Sequence, residues 1–488
     1  MGSTVVSAPP PAASQPPGQP PVSRANILGS IAGVIAGIAL FVAPIPLSPL
    51  GKATLGLSVW MLVWCVSGLI SVGYTSLIYL LGLILLQYKS TTVWGMLTIS
   101  AGWFLIAAFV FAAVMLRCGL AKRVAYFIMY RLRGNTPARF LFVASIISML
   151  MVLLIPSPIA NMAVIFPIYG YVVAEWDLAA RNEAKKGASA VGIIGAFLVI
   201  MGGVGGFWLK TGFSQNLVAL SIARTDVTFA KWFLIAAPTM WIFAFVFPAL
   251  VLLFFRFPKH IVAPAEVLAK KYRDLGPMTG TEKKVLLIAC LLFALYSTES
   301  FHHIAAGWIA LFGLCLFALP WVKVFPRFEE MFASENWGVI FLTCGLYALA
   351  FVFRESGITG MLVHILAPLQ PHTRVGFYLL SGIFGTFVTG IVTLNVSQAV
   401  VVPLFTSWGQ SVGLSAAHSF LAIWLSSGGV GANLLAPVLP SFCLAWTFKY
   451  KGTAFFTFRD AFVMTMVAYV VFWIVALPCQ LLLWPMVH

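Results

Sequence analysis

The stretch GGVGGFWLKTGFSQN, residues 202–216, interrupts one of the most apolar segments of the chain. It contains four glycines before Phe207, a lysine at Lys210, and a cluster of hydroxyl and amide side chains at its end. The segment around it, 187–222, spans about 36 residues, whereas a straight helix crosses a bilayer in about 20. The excess length and the glycines predict a transmembrane helix that is unwound in its middle.

The composition places the chain in a lipid bilayer. Of 488 residues, 61% are hydrophobic and 9% are charged, against about 25% charged residues in soluble domains. The seven cysteines are scattered without a CxxC pair, which argues against a disulfide framework or a metal site. The net charge of +16 fits cytoplasmic loops enriched in Lys and Arg, so no nucleic-acid partner is predicted.

The apolar segments predict an all-α polytopic membrane protein with about 11 transmembrane helices and two re-entrant hairpins. The hairpins cover about 140–167 and about 375–404, where polar residues or Pro and Gly fall midway. The predicted spans are 27–46, 54–70, 75–88, 96–116, 187–222, 230–255, 285–301, 304–322, 337–353, 416–445 and 458–484.

The basic residues agree with this arrangement. With the N-terminus in the cytoplasm, 22 of the 29 Lys and Arg residues fall inside and 6 fall outside. Lys210 alone is left at membrane depth. We predict an integral protein of a bacterial inner (plasma) membrane with a cytoplasmic N-terminus.

The two halves of the chain resemble each other. RGNTPARFLFVASI (133–146) is similar to QPHTRVGFYLLSGI (370–383), and SPIANMAVIFPIY (157–169) is similar to TLNVSQAVVVPLF (393–405). An odd number of predicted spans separates the copies, so they face opposite sides of the membrane. An inverted repeat with discontinuous segments at matching positions is typical of secondary transporters.

The repeat defines the domain organisation. Residues 1–26, rich in Pro, Ala and Ser, are predicted to be a disordered N-terminal tail. Residues 27–255 hold the first copy with its hairpin and the broken helix 187–222. A cytoplasmic linker covers 256–284, and residues 285–488 hold the second copy, with its hairpin and the broken helix 416–445.

The chain after residue 26 resembles the divalent anion/sodium symporter family, the sodium:sulfate and dicarboxylate carriers. LRCGLAKRVAY (116–126) resembles the cytoplasmic helix of that family. GG…TGFSQNLV (202–218) is similar to its GG…GTPPN loop, with Gly212 and Asn216 on the Gly and Asn. The resemblance implies a small, divalent anionic substrate, Na+ as the coupling ion without another cofactor, an elevator-type alternating-access mechanism, and a homodimer in the lipid bilayer.

The hairpin tips differ from the family pattern. The family carries a Ser-Asn-Thr triplet at each tip, and the matching positions here are Ser157-Pro158-Ile159 and Thr393-Leu394-Asn395. A hydroxyl is kept at the first position of both triplets, while the amides move to Asn161 and Asn395. Sodium binding and strict selection of dicarboxylates are therefore open.

The candidate site residues lie where helices break. Free N–H groups at half-helix ends attract an anion, and freed carbonyls hold a cation. The predicted substrate-binding residues are Ser157, Asn161, Lys210, Thr211, Ser214, Asn216, Thr393, Asn395 and Ser397. The candidate sodium ligands are Ser157, Gly202, Gly203, Thr393, Asn395, Gly428 and Gly429.

Each of these features has a second interpretation. The hydroxyls and amides also satisfy the broken backbone of re-entrant turns, and the glycines also allow close helix packing. Lys210 either pairs with the substrate anion, substitutes for a bound cation, or extends from a half-helix end to the interface. Trp208 is predicted either to anchor at an interface or to line the site.

The sequence thus predicts a secondary active transporter, a symporter or exchanger, for a small divalent anion. The alternatives are a carrier of the same fold for another anion without sodium coupling, and an ion channel. An enzyme is not predicted, because no cluster of nucleophiles, metal ligands or acids falls within the spans. The thirteen Asp and Glu residues lie in loops or at span ends.

Overall fold

The fold is a bundle of helices built from segments that are mostly apolar on all sides. The structure is a computed structural model, and it describes residues 24–67, 69–133, 136–175, 190–255, 257, 265–322, 324–325, 327–333, 337–392, 394–430, 449–450, 453–454 and 456–483. Statements about its contacts refer to this part of the chain.

The first half of the described chain contains helices α1 to α12. They are α1 (Arg24–Val42), α2 (Pro49–Ser67), α3 (Val72–Leu85), α4 (Ser90–Val93), α5 (Gly95–Thr98), α6 (Ser100–Cys118), α7 (Leu120–Arg131), α8 (Pro137–Met151), α9 (Pro158–Glu175), α10 (Ala190–Val204), α11 (Ser214–Ala223) and α12 (Phe229–Phe254).

The second half contains helices α13 to α23 and one small strand pair. The helices are α13 (Ala265–Arg273), α14 (Gly280–Ser297), α15 (Glu299–His302), α16 (Ala306–Phe317), α17 (Phe328–Ala333), α18 (Trp337–Glu355), α19 (Ile358–Leu366), α20 (Arg374–Val392), α21 (Leu394–Ser411), α22 (Ala416–Val430) and α23 (Phe458–Leu483), with a 3₁₀ turn at Ala367–Leu369. Strands β1 (Lys449–Tyr450) and β2 (Thr453–Ala454) pair antiparallel.

Four helices of the described chain are long and apolar enough to cross a membrane by length and composition. They are Ser100–Cys118, Phe229–Phe254, Trp337–Glu355 and Arg459–Cys479. Shorter apolar helices of 10–17 residues, such as Val191–Val204 and Ala416–Ser426, accompany them. The architecture is all-α as predicted, and the number of about 11 spans stays a prediction.

Helix α1 begins at Arg24, so the last three residues of the predicted tail, 24–26, belong to a helix. Asn26 Nδ2 donates a hydrogen bond to the Ser67 carbonyl oxygen at 2.9 Å and so ties the start of α1 to the end of α2. Trp64 Nε1 donates to the Ser30 carbonyl oxygen at 3.0 Å one turn further on. These cross-helix bonds hold residues 24–26 in α1, ahead of the apolar run. Residues 1–23 lie outside the described part.

The predicted linker, 256–284, contains helix α13 and the first turn of α14. Arg123 on α7 holds this region through hydrogen bonds to the carbonyl oxygens of Leu275 and Gly276, at 3.0 and 2.7 Å. It also forms a buried ion pair with Glu282, with Nε 2.7 Å from Oε1. Glu282 and Thr279 complete a capping box at the start of α14.

Both predicted hairpin regions consist of two helices joined by a short connection. Helices α8 and α9 are joined by residues 152–157. Helices α20 and α21 are separated by Thr393, which lies outside the described residues. The helices extend beyond the predicted hairpin limits at both ends. At the start of α8, Thr136 caps the helix by accepting a hydrogen bond from the Arg139 backbone N–H at 3.3 Å.

Candidate functional site

Helix α10 ends at Val204 and α11 begins at Ser214, and the nine residues between them, 205–213, form what we name the glycine-rich loop. Glycine is required here by close approach. A Cβ on Gly205 would overlap the backbone carbonyl oxygen of Ser148 on α8. A Cβ on Gly206 would lie 2.8 Å from Phe213 Cβ across the loop. The glycines therefore let the loop fold on itself against the first hairpin.

Two tryptophan indoles hold this loop in place through hydrogen bonds. Trp208 Nε1 donates to the Met149 carbonyl oxygen at 2.9 Å, at the end of α8. Trp232 Nε1 donates to the Phe207 carbonyl oxygen at 2.9 Å. Trp208 is only 6% exposed, so it lies inside the protein rather than at its surface. A buried indole needs a partner for its N–H, and carbonyl oxygens at the end of α8 and in the glycine-rich loop supply it.

Asn216 connects the two broken segments of the predicted repeat. Its Nδ2 donates to the carbonyl oxygens of Gly206 and Leu209, at 3.1 and 3.0 Å. Its Oδ1 accepts a hydrogen bond from Trp424 Nε1 on α22 at 2.9 Å. All the hydrogen-bonding groups of this buried amide are thus used within the protein. The geometry supports the interpretation that Asn216 satisfies broken backbone, and its role as a substrate ligand stays a prediction.

Asn161 lies in the first turn of α9, and its amide differs from that of Asn216 in its hydrogen bonding. The residue is completely buried, and neither Nδ2 nor Oδ1 has a hydrogen-bond partner among the described residues. Ser157, also buried, is four residues earlier, and its carbonyl oxygen accepts the Asn161 backbone N–H at 3.0 Å. An amide left in this state costs about 1–3 kcal/mol of stability. Such an orphaned group is expected where a ligand completes the shell.

The candidate glycines on α10 lie beside this turn. A Cβ on Gly202 would lie 2.8 Å from Met162 Cε, so α10 and α9 approach closely at Met162, the residue after Asn161. A Cβ on Gly203 would meet no heavy atom within 4 Å. The structure therefore brings Ser157, Asn161 and Gly202 into one region of the protein.

Lys210 lies in the glycine-rich loop and is held by two carboxylates. Its Nζ lies 2.8 Å from Glu299 Oε1 and 3.3 Å from Asp226 Oδ1. The Lys210 side chain is 4% exposed, and those of Glu299 and Asp226 are 14% and 81% exposed. Glu299 Oε2 also accepts the Phe229 backbone N–H at 3.3 Å, at the start of α12. Lys210 therefore forms ion pairs with Asp226 and Glu299. Its role as a substrate ligand stays a prediction.

Thr211 and Ser214, at the end of the same loop, are both buried. Thr211 and Leu209 line a cavity of about 30 Å³ together with Pro156 from the first hairpin connection. Its opposite side is formed by aromatic residues that include Tyr296 on α14. The lining is mainly apolar, so this cavity is not suited to hold an anion by itself.

The predicted residues of the second copy are described only in part. Thr393 lies outside the described residues. Asn395 and Ser397 belong to the first turn of α21, and Gly428 and Gly429 belong to the last turn of α22, but their side-chain surroundings lie outside the described part. The predicted broken helix 416–445 is described only as far as Val430, so the break predicted within SSGGVGAN (426–433) stays a prediction.

Three buried polar residues near the loop were not predicted as site residues. Gln398 on α21, Gln215 on α11 and Thr343 on α18 form a chain of hydrogen bonds. A polar signal existed for each amide, because both stand in apolar surroundings at predicted membrane depth. Their hydrogen bond could not be predicted from the sequence, because 183 residues separate Gln215 from Gln398.

A glycine-rich break between helical segments, packed against a helical hairpin, defines the class of membrane transporters with discontinuous helices. Residues 25–487 match the family described as the sodium:sulfate symporter transmembrane region, and the chain belongs to this family. The protein is an integral membrane protein and a secondary transporter, not an enzyme. The predicted family, fold class and general function are therefore confirmed.

Relatives of known designation cover most of the chain. The sodium-dependent dicarboxylate transporter SdcS of Staphylococcus saprophyticus is 26% identical over 453 residues, which are 84% of each chain. SdcS of Staphylococcus aureus is 24% identical over 455 residues, covering 86% of this chain and 84% of the relative. The structure of Neisseria gonorrhoeae MtrF, from work on a class of antimetabolite efflux pumps, aligns with 93% of both chains at 16% identity and a TM-score of 0.45.

Proposed function

We propose that the protein is a sodium-driven symporter for a small dicarboxylate. The family to which the chain belongs and the designation of the two SdcS relatives as sodium-dependent dicarboxylate transporters support this substrate class and this coupling ion. The proposal includes an elevator-type movement, a homodimer, and a bacterial plasma membrane with the N-terminus in the cytoplasm. The similar order of helices in 137–204 and 374–430 supports the inverted repeat that this movement requires.

The observation that carries the proposal is the Asn161 amide, which has no hydrogen-bond partner within the described part of the chain. A neutral amide offers two N–H donors to a carboxylate oxygen and one carbonyl oxygen to a cation. Asn161 therefore has the chemistry to face a dicarboxylate and Na+ at the same time. Asn161 precedes Met162, which Gly202 approaches, and it lies in the first turn of a helix that starts immediately after the hairpin connection. Backbone N–H groups at such a helix start support the same role.

The sodium ligands of the proposed site are neutral oxygens. Among the described residues no group of three or more His, Cys, Asp and Glu residues is placed to hold a metal ion. The Ser157 hydroxyl, the Asn161 carbonyl oxygen and the backbone carbonyls at Gly202 and Gly203 fit a hard monovalent cation, which prefers oxygen ligands. We propose Thr393, Asn395, Gly428 and Gly429 as the corresponding sodium ligands of the second copy, and Ser397 as a substrate ligand there.

We place Lys210 outside the substrate shell. The pair with Glu299 and the exposed Asp226 neutralise its charge. A carboxylate substrate would have to displace a carboxylate that is already 2.8 Å from the ammonium. Lys210 then stabilises the glycine-rich loop, and Asn161 and the hairpin hydroxyls recognise the substrate.

The proposal is tested by uptake into proteoliposomes. Purified protein is reconstituted, and uptake of labelled succinate, sulfate and a monocarboxylate such as lactate is compared in sodium and choline buffers. We expect succinate uptake that sodium stimulates at least tenfold and that lactate does not compete with. Sulfate uptake without succinate uptake would overturn the substrate class, and equal uptake in choline would overturn the coupling.

A further inference from the structure

Gln398, Gln215 and Thr343 form a chain of hydrogen bonds that runs in one direction. Gln398 Nε2 donates to Gln215 Oε1 at 3.1 Å, and Gln215 Nε2 lies 3.4 Å from Thr343 Oγ1. Thr343 Oγ1 in turn donates to the Val339 carbonyl oxygen at 2.9 Å. The chain links the second hairpin to the helix that follows the glycine-rich loop and to α18. Gln398 and Thr343 are completely buried, and Gln215 is 4% exposed.

Thr343 fixes the orientation of both amides. A hydroxyl has one hydrogen, and the Thr343 hydroxyl donates it to the Val339 carbonyl oxygen. Thr343 can therefore only accept a hydrogen bond from Gln215. Gln215 must therefore present its NH₂ group to Thr343 and its oxygen to Gln398. Gln398 must then present its NH₂ group to Gln215, which leaves Gln398 Oε1 at the end of the chain. This oxygen is buried and has no partner among the described residues.

The free end of the chain is an acceptor that its neighbours strengthen. Successive hydrogen bonds polarise one another, so the last carbonyl oxygen is a better acceptor than that of an isolated amide. An ionised dicarboxylate such as succinate offers only acceptors, and it cannot satisfy this oxygen. A substrate that carries a hydroxyl or ammonium group on its carbon chain can.

We propose that Gln398 is a specificity-determining residue that selects dicarboxylates bearing a hydrogen-bond donor on the carbon chain, with Gln215 and Thr343 as positioning residues. This inference rests on the proposed function. Gln398 stands one turn after Asn395 on α21, and Gln215 stands between Ser214 and Asn216, so both amides lie among the proposed site residues. A buried acceptor discriminates strongly against a ligand that leaves it unpaired.

The alternative ligand for a lone carbonyl oxygen is the coupling cation. A sodium shell needs several oxygens, whereas the chain ends in one oxygen whose orientation is fixed by donation to Gln215. The donor-bearing substrate is therefore favoured, and the cation is treated as an outcome that overturns the proposal.

The test compares inhibition of labelled succinate uptake in proteoliposomes by unlabelled succinate, L-malate and L-aspartate. Malate supplies a hydroxyl donor and aspartate supplies an ammonium donor, so the two arms identify the source of the donor. In the parent protein we expect at least one of them to inhibit about tenfold more strongly than succinate itself. In Gln398→Met the inhibition by malate or aspartate, measured relative to inhibition by succinate in the same variant, should fall to about onefold.

Two further variants serve as a second test and as a control. Thr343→Val removes the hydroxyl that orients the chain and should lower the preference by a smaller factor than Gln398→Met. Gln370→Met is the matched control, because the Gln370 side chain donates a hydrogen bond to the exposed Ser411 hydroxyl, and this variant should keep the full preference. Size-exclusion profiles in detergent verify that each variant is folded. If Gln398→Met is not folded, the substrate preference of Thr343→Val decides the test.

The outcomes separate this inference from the proposed function. Dicarboxylate uptake without any preference for malate or aspartate, or a preference unchanged in Gln398→Met and Thr343→Val, would overturn the role of Gln398. A raised sodium requirement in Gln398→Met with an unchanged substrate preference would assign the oxygen to the cation and would also overturn it. Absence of uptake of every dicarboxylate would overturn the proposed function itself.

Discussion

Lys210 and Glu299 form a buried ion pair with Nζ 2.8 Å from Oε1 and 2.9 Å from Oε2. The pair connects the glycine-rich loop to the short helix α15, 89 residues further along the chain. Glu299 also accepts the Phe229 backbone N–H, so one carboxylate fixes the loop and the start of α12 together. A lysine that is costly at membrane depth is thus neutralised by a distant residue.

Removing Lys210 should therefore damage stability. Lys210→Met leaves the Glu299 carboxylate 14% exposed without its main partner, and breaking a buried pair in this way costs about 3–5 kcal/mol. The double variant Lys210→Met/Glu299→Gln should recover much of this loss, because no buried unpaired charge remains and Asp226 is 81% exposed. Thermal unfolding in detergent measures both effects. Asp226→Asn is the control, and it should cost under about 1 kcal/mol because Asp226 is 81% exposed. If Lys210→Met has unchanged stability but has lost transport, Lys210 is a substrate ligand and the structural role proposed for it is wrong.

The glycine-rich loop offers a matched pair of glycine substitutions. Gly205→Ala places a methyl group against the Ser148 backbone oxygen, which cannot move aside as a flexible side chain would. We expect a loss of about 1–3 kcal/mol in the free energy of unfolding. Gly203→Ala meets no heavy atom within 4 Å and should be neutral or slightly stabilising. Equal unfolding temperatures for the two variants would contradict the close packing of loop and hairpin.

The Asn216–Trp424 hydrogen bond predicts coupling between the two broken segments. Trp424→Phe removes the N–H donor to Asn216 Oδ1 and should cost about 1–3 kcal/mol. Asn216→Leu should cost more, because the carbonyl oxygens of Gly206 and Leu209 also lose a donor. In the Asn216→Leu background, Trp424→Phe should cost less than it does alone. Strictly additive unfolding energies in this double-mutant cycle would show that the two residues are not coupled.

The Asn161→Leu variant distinguishes a ligand role of this amide from a structural role. Asn161→Leu removes a buried amide whose two polar atoms are unpartnered among the described residues. Its stability should be unchanged or higher by about 1 kcal/mol, while succinate uptake should fall at least a hundredfold. Tyr296→Phe is the control, since it removes another buried polar atom that has no partner in the described part, and it should keep transport. A destabilised Asn161→Leu protein with normal uptake would make the amide structural.

The sequence predicted the features that depend on local pattern. The helix break at 205–213 follows from the glycines and from a segment too long for one crossing. The position of Asn161 in a hairpin follows from Pro167 and the polar residues before it.

Pairings between distant residues were not predictable in this way. Glu299 stands at the end of a predicted span, and nothing in its neighbourhood points to Lys210. The indole of Trp424 and the amide of Asn216 are separated by 208 residues. Tryptophan is also common at membrane interfaces, and this tendency hid the role of Trp208, whose N–H satisfies a carbonyl inside the protein. Tertiary packing, rather than composition, decides these contacts.

The central claim is that a sodium gradient drives dicarboxylate uptake through this protein. It is tested most directly by accumulation of labelled succinate in proteoliposomes with sodium outside, before and after a sodium ionophore collapses the gradient. We predict accumulation above the external concentration that is lost when the ionophore is added and is absent in Asn161→Leu. Accumulation that persists after the sodium gradient has collapsed, or that is equal in choline, would contradict the claim.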